Sequence, residues 1–432
     1  MTRVVCHPNP DRLPRANRKT VVVQLYNDNP AMPGVPIVGG PVLRETRRLG
    51  IKVPQPAFDF MSVALAVTAA DAFVLRDDAD DRWGREIDLV VHVAKPAPWT
   101  NVIDTLQTAL NFLSGDRWTI DVRGSGQRAL EPQTRGKVID ISAHDAVCLF
   151  SGGLDSAIGA IDLIADGKRP LLVSHAYTGD SQYQKSVLSR LRVDLQRFAP
   201  NARPTRSERE RDVSMRTRSV NFIAFGTVVA SLIAEWRDED AVLLAMPENG
   251  LIALNPPLTH RRLGSLSTRT AHPYFLGLMQ QVIDDLGLPA RIDNPCHLKT
   301  KGEMMRDCED QATLATVASR TVSCGKWKRK SKQCGRCVPC LIRRAAFHRA
   351  GIADRTEYRF RALRPVLANE EERDDLLAMM LAVTKARTAP LDPWVSLSGP
   401  LPSNPGDRAD LIDVFHRGMQ EMAAFLQSAR VI

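Results

Sequence analysis

Short apolar runs that end in small polar residues predict a buried sheet in the middle of the chain. Residues 146–150 are apolar and lead into the polar turn 151–156, and a helix-like segment follows over residues 157–165. A further strand is predicted at residues 241–246, after the helix-like apolar run 222–234. We therefore expect an α/β fold, with a parallel sheet that carries helices on both faces.

The same patterning predicts a separate domain before this region. Alternating stretches at residues 20–25 and 87–93 predict strands with one buried face, and residues 60–73 and 102–113 repeat apolar positions at helical spacing. We expect residues 1–145 to form an N-terminal α+β domain that binds a partner or a substrate. Its tryptophans, Trp83, Trp99 and Trp118, could stack on bases, although core or interface positions are the commoner use.

The segments on either side of the central domain complete the predicted organisation. The Pro- and Gly-bearing segment 30–41 predicts a loop, and residues 124–137 resemble a linker. The central domain then spans residues 146–365. Two amphipathic helices, at residues 369–384 and 408–429, predict a C-terminal helical extension over residues 366–432 that packs on the core or binds a partner.

The turn Ser151-Gly152-Gly153-Leu154-Asp155-Ser156 carries the clearest candidate chemistry. Its glycines permit close approach of the backbone to a ligand, and its hydroxyls and the free N–H groups at a helix start attract anions. The sequence therefore predicts a phosphate cradle at the carboxyl end of a parallel strand. The turn lacks the Lys-Ser/Thr ending of a Walker A motif, which disfavours ordinary NTPases.

Four clustered cysteines, Cys324, Cys334, Cys337 and Cys340, form a second candidate site. Each two-residue spacing lets one tight turn present two thiolates to a tetrahedral ion, and Cys324 can complete the set. Four sulfur ligands favour a closed, structural Zn²⁺ site, with an iron–sulfur cluster as the alternative. Cys148 lies inside a predicted strand and is expected to be an apolar core residue.

These motifs together resemble a known enzyme family. The string 151–156 resembles the PP-loop of ATP pyrophosphatases, which split ATP between its α and β phosphates. The cysteine segment, up to Arg343 and beyond, resembles the zinc segment of 7-cyano-7-deazaguanine synthase (QueC). Residues 216–222 and 299–305 are similar to two further elements of that family, in the same order. The resemblance covers roughly residues 146–353 and implies a Rossmann-like (HUP/PP-loop) fold.

The expected site residues follow from these motifs and from what each side chain can do. Pyrophosphate would lie on the loop, with Asp155 capping the helix or holding Mg²⁺. Arg218 and Lys301 would be cations for the phosphates or for charge at the α-phosphorus. The strand end 174–177 would border the adenine or ribose, and His175 and His272 are candidate bases or structural residues. The expected catalytic residues are Asp155, Arg218 and Lys301. The expected ATP-binding residues are Ser151, Gly152, Gly153, Leu154, Asp155, Ser156, His175, Ser219, Glu248 and Asn249.

One departure from the family concerns the small-molecule substrate. The family's G-Y-P-D-C-R string is absent, and after the strand at 241–246 this chain has Pro247-Glu248-Asn249, with a second polar string at residues 267–274. Glu248 and Asn249 are candidates for some of the missing acidic contacts. Together with the long N-terminal region, this pattern resembles the synthase-like QatC proteins of Qat anti-phage defence operons. That resemblance implies a partner protein from the same operon, such as QatB.

The resemblance implies an enzyme with ATP, Mg²⁺ and Zn²⁺ that adenylates a carboxylate, such as a 7-deazaguanine acid, and releases pyrophosphate. Ammonia would then give an amide, which a second activation could dehydrate to a nitrile, whereas a protein amine would give a conjugate. A tRNA-modifying PP-loop enzyme and a nucleotide-binding scaffold subunit are the alternative functions.

Charge and composition limit the partners and the compartment. The chain carries 58 Lys and Arg against 49 Asp and Glu, and residues 311–353 contain ten of the cations and no acid. This basic segment predicts nucleic-acid binding, a solvated loop that favours thiolates, or docking of an acidic protein. The cysteine usage does not suggest a disulfide scaffold, the apolar run 222–234 is short for a bilayer span, and no signal peptide is expected. We therefore expect a cytoplasmic protein that does not bind a membrane.

Overall fold

The computed structural model describes the chain except residues 30–33, 134–135, 176–179, 192–194, 207–215, 259–268 and 327–331. The strands are β1 Thr2–His7, β2 Thr20–Asn27, β3 Ile37–Gly39, β4 Glu86–His92, β5 Arg117–Arg123, β6 Ala146–Leu149, β7 Pro170–Val173, β8 Arg197–Phe198, β9 Val242–Ala245 and β10 Ala290–Asp293. The helices are α1 Gly40–Arg47, α2 Gln55–Phe73, α3 Ile103–Ser114, α4 Leu154–Ala165, α5 Asp180–Leu188, α6 Arg218–Arg237, α7 Gly250–Leu254, α8 Pro273–Asp285, α9 Lys301–Arg306, α10 Gln311–Val317, α11 Val338–Ala350, α12 Asp374–Ala386, α13 Leu391–Ser396 and α14 Pro405–Ser428.

Two parallel five-stranded sheets organise the described residues. The first has the order β3-β2-β1-β4-β5 and the second the order β10-β9-β6-β7-β8. When the strands of each half are numbered 1 to 5 in chain order, the first sheet reads 3-2-1-4-5 and the second reads 5-4-1-2-3. These are the same strand order, read from opposite edges of the sheet. All pairings between these strands are parallel. The expected α/β class with helices on both faces is confirmed, and the N-terminal half repeats the topology of the central half.

The parallel pairing corrects the expectation for the N-terminal half. The predicted strands at residues 20–25 and 87–93 are confirmed as β2 and β4, and the predicted helices as α2 and α3. However, this half is α/β rather than α+β, because all its strands pair in parallel and α-helices lie in the connections from β3 to β4 and from β4 to β5. Four consecutive residues of β2 are buried, so the expectation of one buried face is also wrong.

The two halves meet through equivalent helices. Helix α2 packs on α6, and α3 packs on α8. In each half the first of these helices joins the third strand to the fourth, and the second joins the fourth strand to the fifth. One continuous hydrophobic core extends from the first sheet through these helices to the second. The boundaries at residues 145 and 365 stay predictions.

Helices α2 and α6 are apolar on all sides because both faces of each are covered. Each is long and apolar enough to cross a membrane, but 94% and 83% of their most apolar windows are buried inside the protein. Helix α6 extends well beyond the apolar run that the sequence suggested, to 20 residues. Such all-round apolar character is typical of a helix packed between two layers.

The tryptophans of the N-terminal half mostly serve the core. Trp99 and Trp118 are buried, so base stacking is wrong for these two. Trp83 is 40% exposed and lies under the guanidinium of Arg216, 4.0 Å from Cζ to the ring centre.

The C-terminal extension folds back on the central half. Both expected helices are confirmed as α12 and α14, and a short helix, α13, lies between them. Helix α14 packs on α7, α11 and α12, and Phe415 on it meets the ring of Trp394 at 5.0 Å. The extension therefore shares a further hydrophobic core with α7 and α11.

Gly159 lies where α4 packs tightly against the loop after β9. A Cβ at this position would lie 2.1 Å from Cγ of Pro247, whose ring cannot rotate away. We expect Gly159→Ala to lower the free energy of unfolding by about 1–3 kcal/mol through overpacking. Gly277→Ala on α8 is the control, because nothing lies within 4 Å of its added methyl group and the helix gains propensity. Urea denaturation checks this, and equal stability of the two variants would contradict the packing.

Candidate functional site

The candidate site lies at the carboxyl edge of the second sheet, between β6 and β9. These strands are neighbours, with Val147 opposite Leu244, and the chain leaves β6 toward β7 on the other side. The connection therefore reverses direction between them and leaves a crevice at their carboxyl ends. The loop 151–156 follows β6, and Glu248 and Asn249 follow β9.

The loop after β6 turns tightly into α4. Gly152 has a φ of +81°, a conformation that favours glycine. Ser151 Oγ accepts from the N–H of Gly153 at 3.2 Å and lies 3.1 Å from Ser156 Oγ. Ser151 is exposed, and Leu154 is buried as the first residue of α4. The first turn of the helix thus has its N–H groups beside two hydroxyls, as a phosphate cradle requires.

A buried cluster of polar side chains lies directly behind this loop. Lys301 Nζ is 2.8 Å from Asp155 Oδ1, and both side chains are buried. Asn249 donates to Asp155 Oδ2 through its side-chain amide at 2.6 Å and its backbone N–H at 3.3 Å. Glu248 also hydrogen-bonds to Asp155. Four predicted site residues from three separate loops therefore meet at one point.

The expected capping role of Asp155 is wrong. Its carboxylate is engaged by Lys301, Asn249 and Glu248, and the N-cap of α4, Gly153, makes no side-chain cap. The aspartate sits in the first turn of α4 but faces the cluster, because the ammonium group of Lys301 is the stronger partner for a buried carboxylate.

The cluster separates the pKa values of its two carboxyl groups. Burial alone would raise the pKa of Asp155, but the charge of Lys301 and the hydrogen bonds from Glu248 and Asn249 lower it to about 2. Burial and the neighbouring Asp155 carboxylate raise the pKa of Glu248 well above its ordinary value. Of the two carboxyl groups, Asp155 is therefore the one that ionises first as pH rises, and Glu248 holds a proton to higher pH.

Lys301 is held by the start of α9 and by the C-terminal extension. Thr300 and Glu303 form a capping box that fixes the first turn of α9. Glu421 on α14 accepts from Thr300 Oγ1 at 2.5 Å and from the N–H of Gly302 at 3.3 Å. Arg417 on the same helix donates to Glu303 at 2.7 Å. Helix α14 therefore orders the turn that presents Lys301.

Asn294, which the sequence reasoning missed, holds the loop that carries Glu248. Its side chain accepts from the N–H of Glu248 at 3.1 Å and donates to the carbonyl of Glu248 at 2.9 Å. It follows β10 directly, as Asn249 follows β9 by a short loop. A side-chain amide directly after a strand is the signal that could have identified it, but this strand, β10, was not among the predicted ones.

Arg218 and Ser219 lie at a different part of the edge, in the first turn of α6. Arg218 Cζ is 5.5 Å from the ring centre of Phe222, and Ser219 is buried. His175, at the end of β7, accepts from the N–H of Ala202 at 3.2 Å and packs edge-on against Phe222. Arg218 and His175 therefore meet at the ring of Phe222.

His272 has a structural role. Its Nδ1 caps α8 by accepting from the N–H of Tyr274 at 3.2 Å, and its Nε2 lies 3.1 Å from Ser398 Oγ. Burial and Arg269 lower its pKa to about 4. Residues 176–177 of the predicted strand end 174–177 lie outside the described residues, as do residues 267–268 of the polar string 267–274.

The four cysteines form a compact group that fits one tetrahedral ion. Their Sγ atoms lie within 4.8 Å of one another, and the pairs Cys334–Cys340 and Cys324–Cys337 are 3.9 Å apart. Zn–S bonds of about 2.3 Å in a tetrahedron place sulfurs about 3.8 Å apart. The N–H groups of Cys334 and Cys337 donate to Cys324 and Cys334 sulfurs. The residues present therefore fit the expected zinc ion.

The segment before Cys324 connects the cysteine group to the loop 151–156. The N–H of Val322 donates to the carbonyl of Gly152 at 3.2 Å. Arg343, fully buried on α11, donates to Thr321 Oγ1 at 2.7 Å and to the carbonyl of Ala318 at 2.5 Å. Gln333 accepts from Ser323 and donates to Thr321. The segment 318–323, which precedes the cysteine group, thus contacts the glycine turn of the loop 151–156.

Acids from later in the chain pair with several cations of the basic segment. Arg336 pairs with Glu372, and Lys326, Lys332 and Arg349 lie 3.7, 3.1 and 3.9 Å from Asp375, Glu357 and Glu421. Arg343 is buried, and residues 328–330 lie outside the described part of the chain. The local excess of positive charge is therefore reduced by acids beyond residue 353, and nucleic-acid binding stays a prediction.

We expect Cys337→Ser to abolish stoichiometric zinc, because three thiolates and a hydroxyl form a poorer tetrahedral site. Cys308→Ala is the control, since Cys308 is buried outside the cysteine group. Metal content by mass spectrometry under native conditions checks this. A full equivalent of zinc in Cys337→Ser, or of iron with sulfide in the natural protein, would contradict the assignment.

We expect Glu248→Gln to increase the free energy of unfolding more at pH 8 than at pH 5. The native carboxyl group holds its proton to higher pH because burial and Asp155 raise its pKa, whereas the unfolded one ionises near 4.5. Between these two pKa values the native state binds more protons, so the stability of the natural protein falls as pH rises. Urea denaturation of both proteins at the two pH values checks this. An equal difference in the free energy of unfolding between the two proteins at both pH values would contradict the prediction.

Comparison with known proteins agrees with the geometry of this edge. Residues 271–351 match the model of the family described as queuosine biosynthesis protein QueC. No curated protein matches the chain. The matched segment extends from α8 to the end of α11 and contains Lys301 and all four cysteines. This chain therefore carries a QueC-like segment, which points to an ATP-utilising PP-loop enzyme family of the pyrophosphatase or ligase type.

Proposed function

We propose that this protein is an ATP pyrophosphatase that transfers the AMP part of ATP to a carboxylate and releases pyrophosphate. The observation that carries the proposal is the meeting of loop 151–156 with Lys301, Glu248 and Asn249 at the β6–β9 crevice. Nucleotides bind doubly wound sheets at such crevices. The QueC-like segment supports the proposal separately, because it contains Lys301 but not the loop.

The β- and γ-phosphates would lie on the first turn of α4. The N–H groups of a first helical turn have no partner inside the helix, and the helix dipole attracts anions. Ser151 and Ser156 would exchange their mutual contact for phosphate oxygens. Lys301 would stabilise the negative charge that develops on the departing pyrophosphate. Its ion pair with Asp155 holds this ammonium group in place beside the loop.

The carboxyl pair of Asp155 and Glu248 is the donor set that fits Mg²⁺. The pKa of Glu248 is raised by the neighbouring Asp155 carboxylate, and a divalent cation between two such adjacent carboxyl groups would relieve that repulsion. When bound, Mg²⁺ neutralises charge on the phosphates. Asn294 would keep Glu248 directed to this point through its two backbone hydrogen bonds.

In the proposed step a carboxylate oxygen of the substrate attacks the α-phosphorus of ATP. A bond forms between that oxygen and phosphorus, and the bond from phosphorus to the bridging β-oxygen breaks, so that pyrophosphate leaves with the electron pair. The products are an acyl-adenylate and pyrophosphate. An amine then attacks the acyl carbon, AMP leaves, the nitrogen loses a proton, and an amide results.

Arg218, Ser219 and His175 would serve the remainder of the nucleotide. Arg218 is the second cation at the edge and would meet charge at the α-phosphate, with Ser219 beside it. His175 would border the adenine or ribose, held in its orientation by the hydrogen bond that its Nε2 accepts from the N–H of Ala202.

For the acid we propose a 7-deazaguanine acid, and for the biological setting a Qat-type anti-phage defence system with a partner such as QatB. The QueC-like segment supports a deazapurine substrate. The absent G-Y-P-D-C-R string supports a product other than the nitrile of the synthase, namely an amide or a conjugate with an amine of the partner protein.

We expect Lys301→Met to lower kcat/KM for pyrophosphate release on the order of 100-fold or more, as for the loss of one preorganised charge. Lys299→Met is the control, because Lys299 lies two residues away and outside the cluster. The assay is pyrophosphate release from ATP with 7-carboxy-7-deazaguanine, with other nucleobase acids, and with tRNA.

Three results would separate the alternatives. Turnover with tRNA but with no nucleobase acid would contradict the small-molecule substrate. Equal rates for Lys301→Met and Lys299→Met would contradict the site. Absence of pyrophosphate release, with unchanged biological activity of Asp155→Ala, would favour the scaffold subunit.

A further inference from the structure

The N-terminal half reaches into the first turn of α6. Asp71, on α2 of that half, accepts from the backbone N–H of Thr217 and from its Oγ1, each at 2.9 Å with the same carboxylate oxygen. Thr217 is the N-cap of α6, and its own side chain makes no cap there. The carboxylate of Asp71, a residue of the N-terminal half, thus contacts the N-terminus of α6, a helix of the central half. Arg218 and Ser219 are the next two residues.

A buried ion network holds Asp71 in this position. Arg85 donates to the second oxygen of Asp71 at 2.5 Å and to Asp116 at 2.6 Å, and Arg76 donates to Asp116 at 2.7 Å. The four side chains are almost completely buried and carry no net charge together. Buried charges are tolerated only when paired in good geometry, so this network is rigid.

The residue before Thr217 is anchored in the same half. Arg216 donates to the carbonyl of Ser114 at 2.8 Å and stacks on Trp83. One helical turn further along, Asn221 of α6 donates to Thr68 of α2. Residues 216, 217 and 221 are therefore all held by the N-terminal half, and they flank the two residues that the ATP site requires.

The carboxyl edge of the first sheet is occupied by the chain itself. At the crevice between β1 and β4, His92 Nδ1 lies 2.7 Å from the carbonyl of Gly124, and Ser125 Oγ lies 3.3 Å from both His92 Nδ1 and His7 Nε2. A Cβ on Gly126 would lie 2.3 Å from the Cα of Val93. The segment after β5 thus fills the place where a sheet of this topology binds a ligand.

We propose that the N-terminal half acts on the ATP site through α6, and that Asp71 is the positioning residue for Arg218 and Ser219. This inference rests on the proposed function, because it takes the first turn of α6 as part of the ATP site. The N-terminal half would thus contribute to ATP binding through Asp71, although the segment after β5 fills the crevice of its own sheet. A displaced first turn would misplace Arg218 without removing it.

The experiment measures ATP affinity by titration calorimetry and KM for ATP by pyrophosphate release. We expect Asp71→Asn and Thr217→Val to weaken ATP binding on the order of 10-fold, as small misplacements of a binding group do. Thr217→Ser keeps the hydroxyl and should retain the natural affinity. Thr217→Val leaves the ion network intact, so the test does not depend on the folding of Asp71→Asn.

Asp59→Asn is the matched control for Asp71→Asn. Asp59 is a second buried aspartate on α2, and it accepts from the N–H groups of Ala94 and Lys95 at 3.0 and 2.9 Å, away from α6. We expect its loss to lower Tm while ATP affinity stays unchanged. A purely structural role of Asp71 predicts the same pattern for Asp71→Asn.

Two outcomes would overturn the proposal. Natural ATP affinity in both Asp71→Asn and Thr217→Val, with weakened binding in Arg218→Ala, would refute the positioning role and leave the proposed function standing. If the natural protein binds no ATP, the proposed function fails and this inference fails with it.

Discussion

The buried ion pair between Asp155 and Lys301 is the contact on which the carboxyl edge of the second sheet depends. A charge buried without a partner costs several kcal/mol, so each side chain requires the other in place. Asp155 belongs to the loop after β6 and Lys301 to the start of α9, while Asn249 and Glu248 join them from the loop after β9. One pair thereby ties together the three loops that enclose the crevice.

Each of these loops is supported by a different part of the molecule. The C-terminal helix α14 orders the turn of Lys301, Asn294 holds the backbone of Glu248, and the cysteine segment bonds to Gly152 through Val322. The N-terminal half holds the start of α6 through Asp71. Precise sites need such outer supports, because a loop alone leaves its side chains too loosely placed. The N-terminal half, the cysteine segment and the C-terminal extension thus all contact the loops or helix ends at the carboxyl edge of the second sheet.

Much of the local structure was predictable because its causes are local. The loop 151–156, the helices α2, α3, α12 and α14 and the cysteine group were expected, since periodicity, turn residues and two-residue spacings act over a few positions. The predicted site residues Asp155, Glu248, Asn249 and Lys301 do meet, but their roles stay predictions. Asn294 was missed because only its position between two loops makes it important.

The sequence by itself determined the α/β elements, the phosphate-loop motif and a four-sulfur ligand set. Tertiary structure decided what joins them. It made the N-terminal half a parallel sheet, gave Asp155 a lysine 146 positions away, and paired cations of the basic segment with acids beyond residue 353. The physical reason is that strand order, charge pairing and burial depend on contacts between residues far apart in the chain, which local patterns do not encode.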